Sequence, residues 1–214
     1  KNHNLNFFNE DIHLLFYFLT LLIIFLFFFN FDNSFSQLFL SLTSSVSNIG
    51  LSLDNNSTNL SFVLLLIVII GGSFFSTSSG IRFLKIYSLF KYSINEILSY
   101  SRPKNIYVNK HLFSKEFFKL DEIYKYFLSI VIFIISLLFL TFLLTLSGIE
   151  FEKSFKLSIL TLMNTVNSSM YGLTDFSFYD LHSFTKYYLI LFMIIGRVEL
   201  LTLLIISKKF LFKN

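Results

Sequence analysis

Cysteine, alanine and tryptophan are all missing from this 214-residue sequence, and it holds a single proline. Without cysteine there is neither a disulfide nor a thiolate metal site. Charge is scarce too, at 14% of residues, and His3, His13, His111 and His182 lie scattered, without metal-ligand or triad spacing. These absences argue against an enzyme and against any resident cofactor. A subunit of an electron-transfer or proton-pumping complex would carry His, Glu or Asp relays inside its spans, and the clean spans have none.

Apolar residues take up the space, at 54% hydrophobic and 20% aromatic, with 31 phenylalanines and a mean hydropathy of +0.69. Uncharged runs at 14–31 and 126–148 reach the roughly 18 residues that mark a bilayer span. The composition is that of an integral membrane protein. Phe, Ile, Asn, Lys and Tyr in place of Ala, Gly, Pro and Arg read as drift in an AT-rich genome, so positions that want a small residue are expected to hold Ser or Asn. Lys1 is not an initiator Met and no signal-peptide pattern precedes the first span, so the chain reads as a piece of something longer.

The net charge of +4 is sorted by membrane side rather than spread over one face, which speaks against a nucleic-acid partner. Nine Lys and Arg lie between Ile81 and Tyr126, and none between Phe31 and Asn59. The positive-inside bias puts 81–125 in the cytoplasm and 32–58 outside, and Lys208, Lys209 and Lys213 put the C-terminus inside as well.

Two halves share one design. The first has a span (14–31), a short apolar stretch (35–46), a polar turn (47–51) and a second, broken span (60–99). A basic linker follows (101–125), within which "SRPKNIYVNK" could form a short hairpin. The second half has a span (126–148), a short stretch (155–166), a polar turn (164–169) and a span (187–206). Stretches of 10–14 apolar residues are too short to cross and read as re-entrant helices. Non-helical backbone at membrane depth survives only inside protein or along a water-filled path. The expected fold is therefore all-α and integral to the membrane. It consists of two repeats of span, pore helix, filter loop and span, with four transmembrane helices plus two re-entrant pore helices, as in potassium channels. Locally, "SSVSNIGL" aligns with "TLMNTVNS", pairing Gly50 with Asn167. "VIIGGS" aligns with "MIIGRV", pairing Gly71 with Gly196.

Four stretches stand out. In "SNIGL" the carbonyls of Ser47, Asn48 and Ile49 could replace an ion's hydration shell, with Gly50 giving the turn its freedom; an ordinary outer turn is the plainer alternative. In "NTVNSS" the residues Thr165, Val166, Asn167 and Ser168 hold the matching place, with Asn167 where a glycine would serve; a degenerate loop is the alternative. In "IIGGSFFSTSSGIRFLK" the glycines Gly71, Gly72 and Gly80 bracket Ser73, Ser76 and Thr77 within a span. Ten residues is long for a kink, which favours an interruption in the pore over hydroxyls back-bonding to carbonyls. In "IIGRVELL", Arg197 sits in a span, where a charge faces a partner or a cavity unless it snorkels. The carbonyls of the 71–80 loop are the expected acceptors.

The order of these motifs resembles the C-terminal half of the Trk/Ktr potassium transporters, specifically the TrkH-type membrane subunit. "IIGGSFFSTSSGIRFLK" is similar to that family's "GGsxGSTxGGIKxxR", "GRVELLTLL" to "GRLEIFTLL", and "VSNIGLS" to "TTTGFS". "SRPKNIYVNK" is similar to "HPxAxxPVK". The resemblance implies that 1–100 is a third pore repeat and 126–214 a fourth, each giving one filter loop to a pore of four. It implies that Gly71 to Gly80 gate the pore below the filter, with Arg197 in contact. It also implies potassium uptake through a bacterial cytoplasmic (inner) membrane, a homodimer, and a cytoplasmic nucleotide-binding regulatory subunit of the TrkA type meeting the 82–125 face. The chain departs from the pattern at Phe75 and Ser79, where the gating loop has glycines, and "NSSMYG" replaces "GPGLG". Sodium permeation, or a decayed relic that does not conduct, are therefore the alternatives.

Overall fold

The computed structural model describes residues 7–28, 35–51, 58–71, 80–101, 120–165, 169–173, 177–179 and 181–197. In chain order these form α1 (Phe7–Phe28), α2 (Phe35–Val46), α3 (Thr58–Ile69), β1 (Ile70–Gly71), β2 (Ile81–Arg82), α4 (Phe83–Ser101), α5 (Leu120–Leu146), α6 (Phe151–Met163), a short 3-10 turn (Ser169–Tyr171) and α7 (Ser183–Arg197). The fold is mostly helical, and among the described residues its β content is one parallel pair of two-residue strands. The linker at 102–119, including the hairpin expected there, lies outside the described residues.

α5 has 27 residues, about 40 Å of helix against roughly 30 Å of hydrocarbon. Among the described residues it is the helix long and apolar enough to cross a bilayer; shorter apolar stretches run Ile12–Phe27 and Leu60–Ile69. Its end is fixed by Gly148 at φ 90°, where Gly148 N–H bonds to the Thr145 carbonyl (3.0 Å) and Ile149 N–H to the Leu144 carbonyl (3.4 Å). A left-handed glycine closing a helix this way reverses the chain at once. α6 therefore starts at Phe151, four residues before the short helix read from the sequence, and stops at Met163 rather than 166.

α3 occupies the middle. Leu64, Leu65 and Val68 are wholly buried, and the helix packs on α2, α6 and the 3-10 turn. α6 in turn lies between α5 and α7. The missing alanines explain an oddity of this core. Ser41, Ser44, Ser45, Ser154 and Ser158 are all buried in the two short helices. Most of these hydroxyls are satisfied on their own helix: Ser45 Oγ donates to the Ser41 carbonyl (2.8 Å) and Ser158 Oγ to the Ser154 carbonyl (2.7 Å). A back-bonded serine is nearly as compact as alanine and leaves no orphan donor. The outward face of α5, with Ile134, Ile135, Leu138, Phe139 and Phe142, is exposed and apolar, which suits lipid or further protein.

Candidate functional site: two capped short helices and a broken helix

α2 and α6 end alike. After α2, Asn48 takes φ 58°, its N–H bonds to the Ser45 carbonyl (3.3 Å), and Ile49 N–H reaches back to the Ser44 carbonyl (2.9 Å). After α6, Asn164 takes φ 53° and ψ 33°, its N–H bonds to the Thr161 carbonyl (3.2 Å), and Thr165 N–H reaches the Leu160 carbonyl (3.0 Å). This is the paired 5→2 and 6→1 closure that a left-handed residue allows, and asparagine is the side chain that tolerates it best after glycine. The caps make Asn48 the counterpart of Asn164. The sequence pairing of Gly50 with Asn167 thus sets one more residue between cap and filter position in the second half than in the first.

The loop after α2 is pinned by its amides. Ser47 N–H bonds to the Thr43 carbonyl (3.0 Å), and Leu51 N–H bonds to Ser44 Oγ (2.6 Å). Gly50 is buried at φ 79°, while Ser47 and Ile49 are exposed. Among the described residues no backbone N–H bonds to the carbonyls of Ser47, Ile49 or Gly50. After α6, Thr165 is buried, and among the described residues its Oγ1 has no hydrogen-bond partner. Val166, Asn167 and Ser168 lie outside the described residues. Asn164 does more than cap: its Nδ2 donates to the Met193 carbonyl of α7 at 2.9 Å.

The break in the third helix has its two edges side by side. Ile70 pairs with Ile81 and Gly71 with Arg82, in parallel. These bonds satisfy backbone that would otherwise be stranded where α3 stops and α4 begins. Gly72, Ser73, Ser76 and Thr77 lie outside the described residues, and so does any contact they make with Arg197. Gly80, at φ 93°, rests against the Met163 side chain, so that a Cβ there would fall on the thioether (2.6 Å from Cε). Gly196 lies against the Leu162 backbone, where a Cβ would sit 2.9 Å from the carbonyl carbon. The two glycines line one cleft of about 20 Å³, room for about one water, with Ile81, Lys85, Ser129, Phe133 and Leu162. The far edge of the break, the end of the second short helix and α7 therefore meet at one point. Arg197, on the next residue of α7, is exposed.

Lys85, grouped by sequence with the cytoplasmic charges, belongs to the first turn of α4 and points into this cleft. Its Nζ donates to Ser129 Oγ of α5 at 3.1 Å. At the start of α6, Lys156 holds Glu152 at 2.6 Å, and that bond keeps the Glu152 carboxyl below its usual range.

The TrkH family model, described as a cation transport protein, matches residues 51–212. The chain belongs to the TrkH family. The members of this family are cation transport proteins. The crystal structure of the potassium transporter TrkH from Vibrio parahaemolyticus has the same fold, with a TM-score of 0.75 at 20% identity over 94% of this chain. The chain spans 43% of that TrkH structure. No curated protein sequence matches it.

Within this TrkH-type fold, the residues singled out by sequence separate into three groups. Ser47 to Gly50 form one pinned loop, Thr165 starts the second, and Gly80 and Gly196 meet in the cleft. Sequence reasoning missed Met163, Asn164 as a cap, Gly148, and Tyr171. An asparagine or glycine just beyond an apolar helix is a legible stop signal, and Asn48, Asn164 and Gly148 carried it. Nothing in the sequence marks Met163 or Tyr171.

Proposed function

We propose that the chain supplies the third and fourth pore repeats of a potassium-uptake transporter. The observation that carries this reading is the repeated cap: two short helices end on a left-handed asparagine, and the residue after each, Ile49 and Thr165, turns its amide back on the helix. A loop closed through its N–H groups keeps its carbonyls for a cation. The buried, unpartnered Thr165 Oγ1 adds an oxygen at the start of the second loop. Gly71 to Gly80 act as the gate and Arg197 as its contact, with the parallel pair and the Gly80–Met163 contact fixing the gate's edges. The setting is a bacterial inner membrane with the C-terminus inside, as a homodimer with a TrkA-type regulatory subunit. A sodium-permeable path is the second reading, favoured by Asn167 standing where the family motif has glycine.

The test is rescue of a potassium-uptake-deficient bacterial strain on low-potassium medium by the longer chain that contains these repeats. Growth should be restored. Gly50→Ser should abolish it or make it sodium-sensitive, and Arg197→Ala should alter the flux. Absence of rescue with the protein present in the membrane rejects potassium uptake, and sodium flux then decides the second reading.

A further inference from the structure

Among the described residues Tyr171 is the largest wholly buried side chain, and it lies beyond the second filter loop in sequence. Its hydroxyl meets Ser45 Oγ at 3.4 Å, in the last turn of the first pore helix. Ser45 already gives its proton to the Ser41 carbonyl (2.8 Å), so it can only accept here and the phenol donates. Ser44, the adjacent residue, does the opposite work. Its carbonyl takes Ile49 N–H and its Oγ takes Leu51 N–H, which holds the first filter loop at both points. Ser44 thus grips the loop while Tyr171 backs the helix turn that carries Ser44.

The backbone is arranged for this. Gly172 takes φ 73°, and a Cβ on it would stand 3.2 Å from Lys156 Nζ and 3.8 Å from Ser61 Cβ. The left-handed angle favours glycine where the chain passes between α6 and α3 and delivers the preceding ring to Ser45. Met170 and Leu173, on either side, are buried as well. A loop that needed only to connect α6 to α7 would not bury Met170, Tyr171 and Leu173 between the two halves.

We infer that Tyr171 is a positioning residue: contributed by the second half, it props the C-terminal turn of α2 and so sets the geometry of the filter loop of the first half. The inference rests on the reading of residues 47–50 as a filter. Each filter loop is then not a property of its own repeat, and cation discrimination at Ser47 to Gly50 depends on a residue more than 120 positions away in sequence.

The test compares Tyr171→Phe and Ser45→Ala with the unmodified protein, all in the longer chain, using amide hydrogen exchange in detergent and the ratio of potassium to sodium uptake in vesicles. Both changes keep most of the packing. Loss of one hydrogen bond should speed exchange at Ile49 and Leu51 about fivefold while Thr165, the matching amide of the other cap, stays unchanged. The potassium-to-sodium ratio should fall with it. Unchanged exchange at Ile49 and Leu51 overturns the inference, and so does a uniform rise that includes Thr165. Faster exchange with an unaltered ratio overturns it too, leaving Tyr171 a packing residue. If the unmodified chain carries neither ion, the transport reading fails on its own, and the exchange comparison still decides whether Tyr171 sets the loop.

Discussion

At the scale of single residues, the chain is constrained most where backbone approaches backbone or side chain without a Cβ between. Gly196 faces the Leu162 main chain, which cannot swing aside as a side chain can. Gly196→Ala must push α7 off α6 and should cost about 1–3 kcal/mol. A thermal midpoint in detergent that matches the unmodified protein would rule that contact out. Gly80 differs, because the atoms in the way are the mobile end of Met163. Gly80→Ala carries both a collision and the strain of φ 93°, and Met163→Ala relieves only the first. In a double-mutant cycle the glycine change should cost about 1 kcal/mol less once Met163 is trimmed. Strict additivity would mean that Gly80 matters only for its backbone angle. Sequence inspection singled out Gly196 through the local repeat and Gly80 as the far edge of the polar break, yet it tied Gly196 to Gly71 rather than to Leu162. A glycine's identity is visible in a sequence, but the atom that forbids a side chain there belongs to another element.

At the scale of elements, helices were legible where polar residues stop an apolar run, and misplaced where a cap decides. α2 covers Phe35–Val46, the bounds of the apolar stretch, because "SNIG" follows it directly. α6 starts and ends early because Gly148 and Asn164 set its limits, and hydropathy alone does not register either. The break in the third helix was legible from "GGSFFSTSSG", whereas the parallel pairing of its edges was not, since two-residue strands leave no periodicity. The Asn164 cap offers a clean dissection. Asn164→Gly keeps the left-handed angle and removes the side chain with its bond to the Met193 carbonyl, so it should cost about 1 kcal/mol. Asn164→Ala loses the easy angle as well and should cost roughly 1–2 kcal/mol more. Thermal unfolding of the three proteins in one detergent separates the two terms. A silent Asn164→Gly would mean that the bridge from α6 to α7 holds nothing.

At the scale of the whole molecule, the governing fact is that the chain spans 43% of the Vibrio parahaemolyticus transporter it resembles in fold. Phe16, Leu19 and Ile23 on α1, and Ile190, Leu191 and Ile194 on α7, are exposed along with the outer face of α5. Such area exceeds what a monomer in water would tolerate, and lipid can cover it. Lipid cannot serve polar loop backbone, however, because each unpaired group in hydrocarbon costs several kcal/mol. The carbonyls of Ser47, Ile49 and Gly50 and the Thr165 hydroxyl, which find no partner among the described residues, therefore need either water and ions or the facing loops of further repeats. On the four-repeat reading, residues 1–214 reconstituted alone in liposomes should give no potassium flux above empty vesicles. The longer chain, at matched protein content, should conduct. Helicity by circular dichroism should be retained in both, because α3, α5, α6 and α7 bury their core within these residues. Potassium-selective flux from the isolated segment would show that two filter loops suffice, through self-association, and would remove the need for the other repeats.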